Sequence, residues 1–154
     1  MENNRRKPNI PAAVLMGILC LFCMYMIYMF SYQNAEVSSG ESKSLYDFFV
    51  ELFGGREIIS HNAFRKLAHF SEYTAFSFSF FGMLYFAKRK FCVWTGFFFC
   101  LMYSMSDEVH QFFVPERACR VFDVFVDSLG IIFGMAVFFI LTWIVSKIKE
   151  KSVA

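Results

Sequence analysis

The sequence predicts an all-α integral membrane protein, a four-helix bundle with a short amphipathic interfacial helix between helices 1 and 2. First, the 154 residues are 57% hydrophobic, which is too apolar for a soluble domain of this length. Second, the apolar residues form long uncharged runs and lack the alternation with polar residues that a soluble core shows. Third, the basic residues form three compact groups that four crossings place on one side of a membrane. We therefore expect one membrane domain over residues 1–154.

Four runs can cross the membrane as helices, because an α-helix needs about 20 residues to span about 30 Å of hydrocarbon. The third run is too short unless its helix continues beyond Met105 through Asp107 and Glu108. Only three basic residues separate the second run from the third, so these two helices are antiparallel neighbours. The predicted spans are about 11–32, 66–87, 91–110 and 123–145.

The placement of lysine and arginine predicts the orientation. Nine of the fifteen basic residues lie in Arg5-Arg6-Lys7, Lys88-Arg89-Lys90 and Lys147-Lys149-Lys151. By the positive-inside rule, the side of the membrane that carries these groups is cytoplasmic. Both termini are therefore expected in the cytoplasm. The net charge of +2 gives no indication of a nucleic-acid partner, and none is predicted.

A secretory signal peptide is the alternative interpretation of residues 1–32, since basic residues precede an apolar stretch. The stretch is longer than the about 7 to 15 residues of a signal's apolar core, and no small-x-small cleavage site follows Tyr32. We therefore predict that this first run is a membrane span.

The polar segment between the first two spans contains a short amphipathic helix. Apolar residues recur at i, i+3, i+4, i+7 and i+8, at Leu45, Phe48, Phe49, Leu52 and Phe53. Glycine and serine predict a break before this helix at Ser38-Ser39-Gly40, and Gly54-Gly55 predicts its end. We expect the helix to lie in the outer interface. Its aromatic side chains are expected to face lipid, to pack on the bundle, or to do both.

Polar residues of all four spans reach one depth. Counting about 20 residues outward from each basic group ends near Gln33, Ala68, His110 and Asp127, at the outer face. Helical spacing then selects the residues that share a helix face. These are Arg65, His69 and Glu72 on the second span, Asp107 and Gln111 on the third, and Asp123, Asp127, Gly130 and Gly134 on the fourth. The two glycines form a small-xxx-small seam that lets a neighbouring backbone approach, so this acidic face should point inward.

Alternatively, these polar residues are ordinary interfacial residues whose charged groups reach toward water. A carboxylate at the centre of a span costs about 2.5 to 3.5 kcal/mol, and short side chains cannot reach far, so several carboxylates need partners. The predicted cluster contains only three arginines, Arg65, Arg117 and Arg120. It contains five carboxylates, those of Glu72, Asp107, Glu108, Asp123 and Asp127. The excess negative charge could be met by protonation, by a charged His69, by Lys66 or by a divalent cation. The candidate metal ligands are His69, Glu72, Asp107, Glu108, Asp123 and Asp127.

At these residues the chain resembles the VanZ-like family of bacterial membrane proteins, which is named for a member linked to resistance to teicoplanin-type glycopeptides. The likeness covers nearly the whole chain, in the segments 31–33, 65–73, 106–117 and 123–134. Members of the family more often have Gly where Glu116 stands, and Glu does not readily adopt the positive φ that Gly allows. The resemblance implies a bacterial cell-membrane location and a role in the cell envelope.

The leading hypothesis is a cell-envelope protein whose outer polar residues bind a lipid head group or a cell-wall component. Its expected partners are membrane lipids and a cell-wall precursor or a glycopeptide-related ligand, and antibiotic resistance would be one consequence. Arginine side chains could hold a phosphate or carboxylate with paired hydrogen bonds. The candidate ligand-binding residues are Gln33, Arg65, Lys66, His69, Glu72, Tyr73, Asp107, Glu108, Gln111, Arg117, Asp123 and Asp127.

Two alternatives belong to other functional classes. The first is an enzyme acting on an envelope lipid or precursor, with a general base or a metal ligand among His69, Glu72, Asp107 and Glu108. The chain has no HExxH, P-loop or GxSxG signature to support a particular reaction. In the second alternative the polar residues lock the helices together, and function lies in a protein partner.

Overall fold

The protein is made of five α-helices, as described by a computed structural model that covers all residues except 1–6, 33–34, 53, 57, 89–92, 115–120 and 154. The helices are α1 (Ile10–Tyr32), α2 (Ala35–Leu52), α3 (His61–Lys88), α4 (Val93–Phe112) and α5 (Val121–Val153). The described residues include no β-strand. The all-α prediction is therefore confirmed, and each predicted span overlaps one helix. Helices α3 and α5 extend beyond their predicted spans, whereas α4 begins at Val93, two residues after the predicted start.

Two of the helices are long and apolar enough to cross a membrane by length and composition, Ile10–Tyr32 and Val121–Ser152. The helices α3 and α4 coincide with predicted spans but contain more polar residues. The polar residues of α4 are segregated to one face. Its buried residues are Gly96, Cys100, Ser104, Asp107, Glu108 and Gln111.

The opposite face of α4 is apolar and exposed along the whole helix. It carries Trp94, Phe98, Met102, Met105, Val109 and Phe112. An average of hydropathy along α4 mixes this outer face with the polar inner face, so its mean hydropathy is lower than that of α1. A helix that is apolar outside and polar inside is the arrangement expected where lipid surrounds the protein.

Helix α2 begins at Ala35, so the predicted break at Ser38-Ser39-Gly40 is wrong. A single Gly inside a helix costs only about 1 kcal/mol relative to Ala, which the flanking helical residues can offset. The predicted end is confirmed. Gly54 and Gly55 have φ angles of 72° and 75°, and their N–H groups donate to the carbonyls of Glu51 and Val50. These bonds satisfy carbonyls at the end of the helix.

The aromatic residues of α2 divide between two environments. The Tyr46 hydroxyl donates a 2.7 Å hydrogen bond to the Ile59 carbonyl, and the Phe49 ring lies 5.5 Å from the Phe64 ring. These contacts fasten α2 to the beginning of α3. Leu45 and Phe48 remain exposed, as does Leu52. One side of the predicted apolar stripe therefore packs on the protein, while the other side stays open; Phe53 lies outside the described residues.

Helix α3 lies at the centre and packs closely against α5 at the predicted glycine seam. The Thr74 hydroxyl donates to the Gly130 carbonyl at 3.2 Å, and the Ser77 hydroxyl donates to the Ile131 carbonyl at 3.0 Å. A Cβ atom on Gly134 would overlap the Thr74 carbonyl. The small-xxx-small prediction is therefore confirmed, because only glycine allows this approach.

The remaining contacts fix which helix ends lie together. The Asn9 N–H donates to the Phe86 carbonyl at 2.9 Å, which joins the start of α1 to the end of α3. The Tyr103 hydroxyl donates to the Met24 carbonyl at 2.7 Å, which joins α4 to α1. The end of α1, the beginnings of α3 and α5 and the end of α4 therefore meet at the opposite end of the bundle.

Candidate functional site

Helix α4 brings two polar side chains into contact with α1. The Gln111 amide donates to the Ser31 hydroxyl at 3.1 Å and to Asp107 Oδ2 at 3.0 Å. Residues 107 and 111 are one helical turn apart, so the amide can reach both partners from one rotamer. All three residues are buried, with Asp107 only 6% exposed.

Helix α5 adds a fully buried carboxyl group. Asp127 is 0% exposed, and its Oδ2 accepts a 2.8 Å hydrogen bond from the Ser104 hydroxyl on α4. Its other oxygen, Oδ1, is buried without a hydrogen-bond partner among the described residues. Asp127 also lies within electrostatic reach of Asp107 and Glu108. Glu108 is only 2% exposed, so three acidic side chains are buried close together.

Helix α3 completes the arrangement with Tyr73, which is 0% exposed. The Tyr73 hydroxyl is buried beside Asp107 and Ser104. It interacts electrostatically with both Asp107 and Asp127. Four helices therefore contribute to one group of side chains. We call this group the polar cluster: Ser31, Tyr73, Ser104, Asp107, Glu108, Gln111 and Asp127.

Charged side chains lie at the margin of the polar cluster. His69 Nδ1 is 4.0 Å from Glu72 Oε2, and both side chains are 25% exposed. His69 also interacts electrostatically with Asp107, which connects this pair to the buried carboxyl groups. Lys66 Nζ is 3.8 Å from Asp123 Oδ1 and 3.8 Å from the centroid of the Phe122 ring. These pairs lie between the buried cluster and the surface.

The structure therefore divides the predicted site residues into three sets. Tyr73, Asp107, Glu108, Gln111 and Asp127 lie in the polar cluster. Partly exposed at the same end are Arg65, Lys66, His69, Glu72 and Asp123. Gln33, Arg117 and Arg120 lie outside the described residues. The predicted convergence of separate helices is observed for the described residues, although Glu72 lies at its margin and Tyr73 takes the buried position.

Sequence reasoning missed Ser104 as a member of the cluster. Ser104 precedes Asp107 and Glu108 by three and four positions, so helical spacing alone would have placed it on their face. Serine carries no charge, so its residue type gave no signal. The His110 ring lies 5.2 Å from the Tyr28 ring of α1.

The candidate metal ligands do not form one metal-binding group in the part of the chain that the structure describes. The described residues include no group of three or more His, Cys, Asp or Glu side chains placed to hold a metal ion. The buried carboxyl groups instead have hydrogen-bond donors beside them, Ser104 for Asp127 and Gln111 for Asp107. Such an arrangement can bind a group that donates hydrogen bonds and carries positive charge, since an acidic pocket stabilises a cation.

Comparison with known proteins gives one match. A family model described as VanZ/LLP1 matches residues 16–142, which is most of the chain. The matched segment begins within α1 and ends within α5, so it includes every residue of the polar cluster. No curated protein and no solved structure matches the chain.

Proposed function

The chain belongs to the VanZ/LLP1 family, and from this premise we propose that it is a multi-pass bacterial envelope protein whose polar cluster binds an amine-bearing lipid head group or cell-wall component. The family and the two apolar helices mark a membrane protein linked to glycopeptide resistance. In the proposal α1, α3, α4 and α5 all cross the membrane. The polar cluster faces outward, and both termini are cytoplasmic.

The exposed faces of the helices support four crossings. Helix α4 has 20 residues, which as an α-helix extend about 30 Å, the thickness of the hydrocarbon layer. Its exposed apolar face runs from Trp94 to Phe112, so lipid can surround it over that whole length. The basic residues 147–151 lie at the end of α5 opposite the polar cluster. The positive-inside rule then places the polar cluster at the outer face.

The observation that carries the proposed binding role is Asp127 Oδ1, a buried oxygen with no hydrogen-bond partner among the described residues. Leaving a polar group buried without a partner costs about 1 to 3 kcal/mol. A ligand that donates a hydrogen bond to this oxygen would recover that cost. The described residues of the cluster include three carboxyl groups and no lysine or arginine, so an ammonium group is the donor that they favour.

The margin of the polar cluster supplies groups of the opposite charge. Arg65 is partly exposed at the beginning of α3, one helical turn before His69. A guanidinium group can bind a phosphate with two hydrogen bonds. In the proposal the ammonium group of a zwitterionic ligand enters the cluster, and its phosphate stays at the margin near Arg65. Arg117, which lies outside the described residues, is proposed for the same role.

The test is binding of matched head groups to the purified full chain in nanodiscs. Phosphatidylethanolamine donates hydrogen bonds through its ammonium group, whereas phosphatidylcholine has the same charge and no N–H donor. We expect preference for the ethanolamine lipid, and about a tenfold weaker interaction in Asp127→Asn, because hydrogen bonds to charged groups contribute about 1.5 to 3 kcal/mol. Glu150→Gln makes the same chemical change at the opposite end and should leave binding unchanged.

A second arm separates the two sources of the amine. A lipid-linked cell-wall precursor with a free amino group is compared with the same precursor after N-acetylation. If only the precursor shows an amine-dependent interaction, the ligand is a cell-wall component and not a phospholipid. If neither ligand distinguishes wild type from Asp127→Asn, the proposed binding role is wrong. Teicoplanin susceptibility of cells expressing the same variants shows whether binding and resistance are linked.

A structural role is the second candidate, and two hydrogen bonds between helices favour it. Gln111 on α4 binds Ser31 on α1, and Ser104 on α4 binds Asp127 on α5. If these bonds only fasten the helices, each substitution will lower the melting temperature and activity together. A binding site instead predicts that Asp127→Asn keeps its melting temperature and loses ligand, because the amide has the same shape as the carboxyl group.

A further inference from the structure

A groove lies between α1, α3 and α5 at the end of the bundle opposite the polar cluster. Its volume is about 240 Å³. The walls include Met16 from α1, Phe86 from α3 and Phe138 and Val145 from α5, and Lys149 lies at one end. The groove shares no residue with the polar cluster, so it needs an explanation of its own.

The lining of the groove contains three hydroxyl groups, those of Tyr85, Thr142 and Ser146, and the last two are hydrogen-bonded within α5. The Thr142 hydroxyl donates to the Phe138 carbonyl at 3.0 Å, and the Ser146 hydroxyl donates to the Thr142 carbonyl at 2.9 Å. Each of these two hydroxyls therefore uses its proton within its own helix, a common arrangement for Ser and Thr in helices. Most of the lining is hydrocarbon and aromatic, which suits an alkyl chain.

The length of the groove matches one leaflet of a bilayer. Phe138 and Lys149 are eleven positions apart on α5, which corresponds to about 16 Å along a helix axis. Half of a hydrocarbon layer of about 30 Å is nearly the same length. The lining therefore extends from the middle of the proposed span to the interface that carries the basic residues.

The charged end of the groove favours an anionic head group. Lys147 is paired with Glu150 at 2.9 Å, whereas the Lys149 ammonium has no ion-pair partner among the described residues. Lys151 follows on the same helix end, and Lys7 lies at the start of α1. A cluster of lysines beside a membrane attracts anionic lipids, with about 1 kcal/mol per basic residue.

From the shape and charge we propose that this groove holds one anionic phospholipid of the cytoplasmic leaflet. Its acyl chain lies along α5 against Phe138 and Val145, and its phosphate binds Lys149. The inference rests on the membrane crossing and orientation proposed above. It does not depend on the ligand of the polar cluster, so each of the two sites can fail without the other.

The test is retention of lipid by the purified full chain, measured by native mass spectrometry after exposure to equal amounts of phosphatidylglycerol and phosphatidylcholine. Wild type should retain one phosphatidylglycerol in preference to phosphatidylcholine. In Lys149→Ala this preference should fall about fivefold, the change that one basic residue near a membrane surface provides. Lys149 is exposed, so its substitution leaves the fold intact.

Two further variants make the result specific to the groove. Lys151→Ala removes the same charge from the same helix end but does not line the groove, and it should keep the preference. Ser146→Phe fills the groove and should reduce retention of both lipids. Equal effects of Lys149→Ala and Lys151→Ala would show a diffuse basic surface and overturn the proposal. So would a wild type without any preference, or unchanged retention in Ser146→Phe.

Discussion

The two ends of the bundle are built from the same helices but are held together by different interactions. At one end, the polar cluster brings together side chains of α1, α3, α4 and α5, and hydrogen bonds join α4 to α1 and to α5. At the other end, aromatic rings provide the contacts: Phe80 stacks on Phe99 at 4.5 Å, and Phe78 meets Phe138 at 5.5 Å. The glycine seam of α5 lies between the two ends.

The difference indicates that stability alone does not account for the polar cluster. Aromatic packing already holds the helices at the basic end, and close packing is sufficient to associate helices in lipid. Burying carboxyl groups is costly, and apolar residues of similar volume are often equally stable or more stable. Residues such as Asp127 are therefore expected to act on something other than the fold. The predictions below test this division between a structural end and a binding end.

The largest effect is expected at the seam, on which both ends depend. In Gly134→Ala the new methyl group would overlap the Thr74 carbonyl and the Ser77 hydroxyl, so α5 must move away from α3. Overpacking of this kind typically costs about 1 to 3 kcal/mol, and we expect the upper value or more because a backbone atom cannot turn aside. Thermal unfolding in detergent measures the loss.

The matched control for the seam is Gly17→Ala on α1. There the added Cβ atom would lie 3.4 Å from the Met83 sulfur, an ordinary contact with a flexible side chain. Replacing Gly by Ala inside a helix is favourable by about 1 kcal/mol, so stability should stay the same or rise. If Gly134→Ala is as stable as Gly17→Ala, the close approach of α3 and α5 is not required.

The next largest loss of stability is expected at the basic end of the bundle, where aromatic rings provide the contacts. Phe81 is 1% exposed, and its ring packs on Gly96 and lies 6.0 Å from the Phe139 ring. Phe81→Ala leaves a cavity that cannot fully close, and we expect a loss of about 2 to 3 kcal/mol. The usual loss for Phe→Ala in soluble cores is about 3 to 5 kcal/mol. The loss should be smaller here because the free energy of transferring a side chain from water to the interior contributes less when lipid surrounds the protein. Binding of head groups by the remaining folded protein should be unchanged.

A loss of head-group affinity in folded Phe81→Ala would contradict the separation of the two ends. The matched comparison is Asp127→Asn, which should show the opposite pattern, with normal melting and weak binding. Both variants are measured in the same nanodiscs, so that lipid composition is constant.

Sequence reasoning predicted the parts of this arrangement that follow from spacing along one helix. The long helices, the glycine seam and the convergence of Asp107, Gln111 and Asp127 could be obtained from runs of apolar residues and from i, i+4 relationships. The rotation of a helix about its axis depends on contacts with other helices. For this reason Glu72 and Tyr73 were candidates together, and only the structure shows that Tyr73 is buried whereas Glu72 lies at the margin.

Two other differences have local causes. The start of α2 was misplaced because Gly40 indicates a break only when neighbouring residues do not favour a helix, and here the helix continues through it. Ser104 was missed because an uncharged side chain gives no signal until its partner is known. That partner, Asp127, lies on another helix, and the sequence alone did not show which residues of α4 and α5 face each other.

A smaller effect is expected for Ser104→Ala within the polar cluster. The substitution removes the 2.8 Å hydrogen bond to Asp127 Oδ2, and a typical net contribution of such a bond is about 1 kcal/mol. A melting temperature that falls slightly, with head-group binding that falls clearly, would agree with a site whose carboxyl group needs orientation. Ser128→Ala is the control, because that hydroxyl donates only to the Val124 carbonyl of its own helix.

The smallest effect is expected at the margin, for Lys66→Met. Lys66 is 3.8 Å from Asp123, and the two side chains are 41% and 27% exposed. Ion pairs with this much exposure contribute about 0 to 1 kcal/mol. Methionine keeps an unbranched side chain that can still pack on Phe122, so the melting temperature should change little.

If the margin receives the phosphate of a zwitterionic ligand, Lys66→Met should bind the ligand more weakly than wild type at low salt. The difference in affinity should shrink at high salt because ions screen exposed charges. A difference that does not depend on salt would assign Lys66 to the fold instead, since loss of packing is insensitive to ionic strength.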